Sequence, residues 1–223
     1  MSTPESVTIA IDGAGPVSGL WQAPPAARAC LVLAHGAGAG MTHRAMAAIA
    51  SGLAERGIAT LRFQFPYMER GQKRPDAPPV AHAAVRAAVA EAGRLAPGLA
   101  LFAGGKSFGG RMTSQAQALA PLPAVRGLVF FAFPLHPAGK PSDERAKHLS
   151  AVTLPMLFLQ GTADALAELE LLRPVVARLA PRATLKLVAD ADHVFHVPAK
   201  TGRKDGEVLA EFLEAAGGWM AKL

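Results

Sequence analysis

The chain has 223 residues, 51% of them apolar and 18% charged, a balance that excludes disorder and suffices for a sizeable core. Lys and Arg number 23 against 17 Asp and Glu, for a net charge of +6, but the cations are scattered along the sequence. With no aromatic-interleaved basic stripe, recognition-helix pattern or zinc-finger spacing, nucleic acid is not the expected partner.

Residues 1–12 show no basic stretch followed by an apolar one, so no secretory signal is expected, and no apolar run in the chain reaches membrane-spanning length. Val7 to Ile11 and Val17 to Trp21 read as two short strands around the turn-forming run Asp12 to Gly15, and Pro24-Pro25 ends that hairpin. Ala29 to Ala34 is a continuous apolar strand, the pattern of a sheet covered on both faces. It holds the single cysteine, Cys30, which excludes an internal disulfide, fits a reducing cytoplasm and reads as a buried structural thiol. A glycine-rich loop, His35 to Gly40, follows. His43 to Arg56 is helical in pattern and stops at Gly57. Ile58 to Phe63 is a strand, Gln64 to Pro79 an irregular stretch with four prolines, and Val80 to Leu95 a helix. A strand from Leu99 then runs into Gly104-Gly105-Lys106-Ser107-Phe108-Gly109-Gly110, with a helix from Arg111 to Leu119.

Beyond it, Gly127 to Ala132 is another buried-strand pattern, and Phe133 to Ser150 reads as loop. Pro155 to Gln160 is a strand with Gly161-Thr162-Ala163-Asp164 at its end, and Ala167 to Leu179 is helical. Ala183 to Ala189 is the last strand, Asp190 to Thr201 a loop, and Asp205 to Lys222 the closing helix. Strand and helix alternate from Ala29 onward, which demands an α/β fold: a mostly parallel sheet with helices on both faces. Without repeats or a linker, residues 1–223 are expected to form one domain.

Gly105-x-Ser107-x-Gly109 lies between a predicted strand and a predicted helix, the context of a nucleophile elbow. A sharp strand-to-helix turn strains the serine backbone, so the residues two positions either side need little or no side chain. A serine hydroxyl needs an imidazole to take its proton, and that imidazole needs an acid to fix its tautomer. Asp164 and His193 follow strands at the carboxyl ends, where such sheets gather their sites. The order Ser107, Asp164, His193 completes the pattern. Asp190 and Asp192 compete for the acid, though Asp192 adjoins His193 and adjacent side chains diverge. His196 competes with His193. Asp164 also reads as an N-cap for the helix after it.

Here the sequence resembles the α/β-hydrolase family over nearly its whole length. Leu33 to Gly40 (LAHGAGAG) and Gly105 to Met112 (GKSFGGRM) resemble one small, cap-less subfamily akin to dienelactone hydrolases. Its eukaryotic relatives include a testis-expressed protein and a subunit of a histone-acetyltransferase complex. The resemblance implies a Ser–Asp–His hydrolase without an extended cap. It implies no substrate, and dienelactone hydrolases carry cysteine where this chain has Ser107. It also places Asp164 and His193 at the family's acid and base positions, and makes the loop after Ala34 the oxyanion-hole loop. The amides of Ala37 and Phe108 are then the expected oxyanion donors. His35 reads as a buried structural residue rather than the base.

Gly36, Gly38, Met41, Tyr67, Arg111, Phe133 and Phe195 are candidates to line the substrate site, and core packing explains the apolar ones equally well. Arg111 reads first as a structural ion pair or a donor to loop carbonyls, with a substrate-carboxylate clamp as the sharper reading. The Gln64 to Pro79 loop is expected to overhang the pocket, with Arg62, Tyr67, Met68 and Arg70 near it. No metal is expected, since the seven histidines are dispersed without ligand spacing. A phosphate loop lacks its earlier glycine, the dinucleotide fingerprint is incomplete, and no cofactor is expected.

Two functional readings remain. One is a serine hydrolase acting on small carboxylic esters or thioesters, a cytoplasmic monomer or homodimer with no membrane or nucleic-acid partner. The other is a non-catalytic binding or scaffold module on the same fold. Acyl transfer or haloperoxidase-like chemistry would use the same triad and differ only in the acceptor.

Overall fold

A computed structural model of the chain describes residues 2–223. Eight strands form one sheet: β1 (Glu5–Ile11), β2 (Gly15–Gln22), β3 (Ala29–Ala34), β4 (Ile58–Phe63), β5 (Ala100–Lys106), β6 (Val125–Phe131), β7 (Met156–Gly161) and β8 (Ala183–Val188). Their order across the sheet is β1-β2-β4-β3-β5-β6-β7-β8. β1 and β2 form an antiparallel hairpin whose second strand runs antiparallel to β4, and every other pairing is parallel. The helices are α1 (Arg44–Ala54), α2 (Pro66–Glu69), α3 (Pro78–Leu95), α4 (Phe108–Leu119), α5 (Leu169–Arg178) and α6 (Asp205–Met220), with 3-10 turns at Glu144–Ala151 and Ala199–Thr201.

Pleating sorts each parallel strand's side chains onto two cores, which is why these strands are mainly apolar. In β3, Cys30, Val32 and Ala34 enter the core beneath α3 and α4, while Ala29, Leu31 and Leu33 enter the one beneath α1 and α6. Helix α6 buries Val208, Phe212, Leu213, Ala216 and Met220, one stripe at helical spacing. Burying a Leu or Phe of this kind stabilises the fold by roughly 1.5–3 kcal/mol. Burial pushes the Cys30 thiol up to about 12, leaving it an inert packing residue.

The strand pattern matches the expectation closely, and β3 and β4 match it residue for residue. Three short elements lie inside segments expected to be irregular: α2 in Gln64 to Pro79, and the two 3-10 turns. Helix α4 begins three residues earlier than Arg111, at Phe108. No helix among the described residues is long and apolar enough to cross a membrane.

Candidate active site

Ser107 sits between β5 and α4 with φ +52° and ψ −114°, a backbone conformation that a side chain adopts only under compulsion. The compulsion comes from packing. A Cβ on Gly105 would lie 2.3 Å from the Ala34 carbonyl oxygen, and one on Gly109 would lie 2.4 Å from the same atom. Only glycine at both positions lets the turn close against the end of β3, which holds the serine up at the sheet's carboxyl rim.

His193 stands on the loop after β8 with Nε2 2.8 Å from Ser107 Oγ and Nδ1 2.8 Å from Asp164 Oδ2. The pattern defines the tautomer: Nδ1–H donates to the carboxylate, and Nε2 accepts from the hydroxyl. Asp164 is buried, whereas the His193 side chain keeps 22% of its surface open. Oδ1 of Asp164 accepts from the Leu166 amide at 2.8 Å, and Oδ2 also accepts from the Gln160 side-chain amide. Gln160 in turn accepts from the Phe133 amide at 2.9 Å. This buried glutamine holds the Asp164 carboxylate in place, a contact that the sequence reading missed. The one available signal was a polar residue closing an otherwise apolar strand.

The rivals lie elsewhere. Asp192 builds the histidine loop itself, its Oδ1 accepting from the amides of Val194 (2.8 Å) and His196 (2.9 Å). His196 is exposed, 3.1 Å from Asp205 at the start of α6. Asp190 takes a left-handed turn, its amide donating to Thr162 Oγ1. Lys106 adds a strut that was not foreseen. Its ammonium donates to the His193 carbonyl and lies 4.5 Å above the Phe195 ring. Burial pushes the Lys106 amine down to about 8, against the pull of Asp164 and Asp192.

The loop after β3 lies against this turn, a Cβ on Gly36 being 3.8 Å from Ser107 Cβ. His35 is fully buried, its Nδ1–H donating to the Gly36 carbonyl at 2.8 Å and its Nε2 accepting from the Phe65 amide at 3.1 Å. Burial pushes this imidazole down to about 4, so it is neutral and structural. At the loop's other end, Met41 N–H donates to Gln64 Oε1 (2.8 Å) and Arg62 donates to the Met41 carbonyl (3.2 Å). The end of β4 thus grips both ends of the loop. Ala37 and Gly38 between them are exposed, and the Ala37 amide has no acceptor within the protein. Phe108 N–H is likewise one of the first-turn donors of α4 left without an intrahelical acceptor.

Several expected lining residues are core instead. Tyr67 and Phe133 have no exposed surface. Tyr67 is enclosed with Phe65 and Phe108, and Phe133 with Phe130 and Phe158, because large rings beside the sheet gain more from burial than from a cleft. Phe195 is pressed between Lys106 and the Phe212 ring, 4.6 Å away, and Met41 is also buried. Arg62 lies under the loop after β3 rather than in an overhang, and Arg70 pairs with Asp76. Arg111 makes neither the ion pair nor the carbonyl bonds expected of it. Among the described residues, no cluster of His, Cys, Asp and Glu has the makings of a metal site.

A strained serine at a strand–helix elbow, facing a glycine loop at the rim of a parallel sheet, defines the α/β-hydrolase fold. The chain belongs to the alpha/beta hydrolase domain family, whose model matches residues 27–221. Its structure is similar to that of a lid-less α/β serine hydrolase from Xanthomonas campestris, at 21% identity and a TM-score of 0.76 over 98% of this chain and 96% of that one. It is similar also to a dienelactone hydrolase from Anabaena variabilis (18% identity, TM-score 0.78, 99% of this chain and 98% of that one). An esterase domain from Rhodothermus marinus is a third such structure (15% identity, TM-score 0.73, 97% of each chain).

Proposed function

We propose that this protein is a serine hydrolase that cleaves small carboxylic esters or thioesters through an acyl-enzyme intermediate. The observation that carries the reading is the pair of 2.8 Å bonds made by His193, one to Ser107 Oγ and one to Asp164 Oδ2. As Ser107 Oγ attacks the acyl carbonyl, His193 Nε2 takes its proton, and Asp164 stabilises the imidazolium that forms. The oxyanion is received by the amides of Phe108 and Ala37, each such donor supplying about 3 kcal/mol in the transition state. His193 then returns the proton to the leaving alcohol or thiol, and the acyl group stays on Ser107. Water, deprotonated by the same imidazole, releases the acid and restores the serine.

A fluorophosphonate probe is expected to label the native protein and not Ser107→Ala. Hydrolysis of short p-nitrophenyl esters is expected to fall on the order of a thousandfold or more in that variant. Folded protein that neither takes the probe nor turns over any ester in a panel of acyl lengths overturns the reading in favour of a binding module.

A further inference from the structure

His136, on the loop after β6, has no exposed side-chain surface, and both of its ring nitrogens face acceptors. Nδ1 lies 2.9 Å from the Pro137 carbonyl oxygen, and Nε2 meets the carboxylate of Glu168, the half-exposed residue that precedes α5. A neutral imidazole carries one N–H and can satisfy only one of these. His35 shows the contrast: its Nδ1–H also donates to the following carbonyl, but its Nε2 meets the Phe65 amide, a donor. At His136 the ring with a proton on each nitrogen is the form that suits both neighbours, as one half of an ion pair with Glu168. Glu168 gives α5 only its main-chain carbonyl, which accepts from the amides of Leu171 (3.0 Å) and Leu172 (2.9 Å). Its side chain makes no cap to the helix and goes to the imidazole instead.

The pair stands beside Asp164. The amides of Leu135 and His136 donate to the Leu166 carbonyl at 2.8 and 3.3 Å, and the Leu166 amide donates to Asp164 Oδ1 at 2.8 Å. The Ala167 amide donates back to the Asp164 carbonyl at 3.1 Å, so residues 164–168 form one turn with Asp164 at its start and Glu168 at its end. On the other side, Phe133 N–H holds Gln160, whose amide donates to Asp164 Oδ2. Residues 133–136 thus reach both oxygens of the Asp164 carboxylate, Oδ2 through Gln160 and Oδ1 through Leu166. The His136–Glu168 pair clamps the far end of the turn to that same segment. Burying the imidazolium costs free energy that the pair does little more than offset, so what the pair supplies is position.

We infer that His136 and Glu168 are a positioning pair for Asp164: they hold the turn 164–168 on the segment after β6 and so fix the aim of the carboxylate at His193. Neither touches the reacting atoms. The inference rests on the hydrolase reading and deepens it. A carboxylate off its line stabilises the imidazolium formed during the reaction less well, without changing how substrate binds.

Glu168→Ala is the main test, because that side chain is half-exposed and α5 keeps its main-chain cap; His136→Gln is the second variant. Each is expected to lower kcat for p-nitrophenyl acetate about tenfold or more with KM changed by less than about twofold, and the double variant falls no further than the lower single one. Asp143→Ala is the control. It breaks the 2.6 Å pair with Arg178 at the other end of α5 and should leave kcat unchanged. The proton that His193 Nδ1 donates to Asp164 gives a downfield NMR resonance, which should shift or broaden in Glu168→Ala and His136→Gln and stay in place in Asp143→Ala. A native kcat or an unmoved resonance in folded Glu168→Ala overturns the inference, as does an equal loss of kcat in Asp143→Ala. If the native protein hydrolyses no ester, the resonance alone decides the positioning, separately from the hydrolase reading.

Discussion

Lys106 reaches from the elbow strand to the carbonyl of His193, so one side chain ties the segment of Ser107 to the loop that carries His193. The bond is charge-assisted only while the amine is protonated, and burial has brought that amine down to about 8. Above this pH the ammonium becomes an amine, the anchor weakens, and kcat/KM for a neutral ester is expected to decline. Lys106→Arg keeps its charge throughout, so its alkaline limb should move up by more than one pH unit. An unchanged limb in that variant would separate Lys106 from the pH dependence. Gln160 invites a parallel test, since its amide donates to Asp164 while its carbonyl accepts from Phe133 N–H. Gln160→Met should lower kcat about tenfold with little change in KM, as expected when the second partner of an orienting carboxylate is lost. A loss seen only in KM would refute it. The sequence singled out Ser107, Asp164 and His193 because each is a polar residue that follows a strand, in an order that means something, and the structure brings the three side chains together. Lys106 and Gln160 act through contacts between segments remote in the chain, and no local pattern encodes those.

At the scale of elements, the inner parallel strands were readable because both faces are buried, which leaves a mainly apolar run bounded by turns, unbroken in β3. Helix α4 was read too short for a related reason. Gly109 and Gly110 look like turn residues, yet close packing against Ala34 and Gly105 requires glycine there, and the helix is held by that packing rather than by propensity. The four residues of α2 and the eight of the 3-10 turn span too few repeats for a period to show. These overlooked pieces pack beside the elbow helix: α2 carries Tyr67, whose ring meets Phe108, and the 3-10 turn carries His148, whose Nε2 is 2.8 Å from Ser114 Oγ. The glycine loop after β3 is likewise an element defined by its fastenings. Gln64→Ala removes the acceptor of the Met41 amide, costing about 1 kcal/mol of stability for the lost bond. The larger effect is expected in kcat, on the order of tenfold, as the Ala37 amide loses its fixed aim. Chemical denaturation and steady-state kinetics on the same variant distinguish the two, and an unaffected kcat would show that His35 and Arg62 alone hold the loop.

For the whole molecule, stability should depend on pH through imidazoles that fold in the neutral form. His35 is held at about 4 by burial against an ordinary value of 6.5, while its neutral ring bridges β3 and the segment after β4. Between these two values the unfolded chain binds a proton that the folded chain refuses. The stabilisation is therefore complete above pH 6.5 and is lost as pH falls toward 4. Integrated over that window the His35 contribution is about 3 kcal/mol, a large share of the stability of a domain of this size. His148 adds to the same slope, because burial and the neighbouring Arg111 also push it down to about 4. A chain that already carries +6 at neutral pH gains further positive charge over this interval, which reinforces the trend. Urea unfolding at pH 7, 6, 5 and 4 should show the native protein losing stability steadily. His35→Gln offers an uncharged acceptor to the Phe65 amide and should show a shallower slope from a lower starting point. If the two proteins lose stability in parallel, His35 is protonated without penalty in the fold, and the loop beside Ser107 is not fastened by a neutral imidazole.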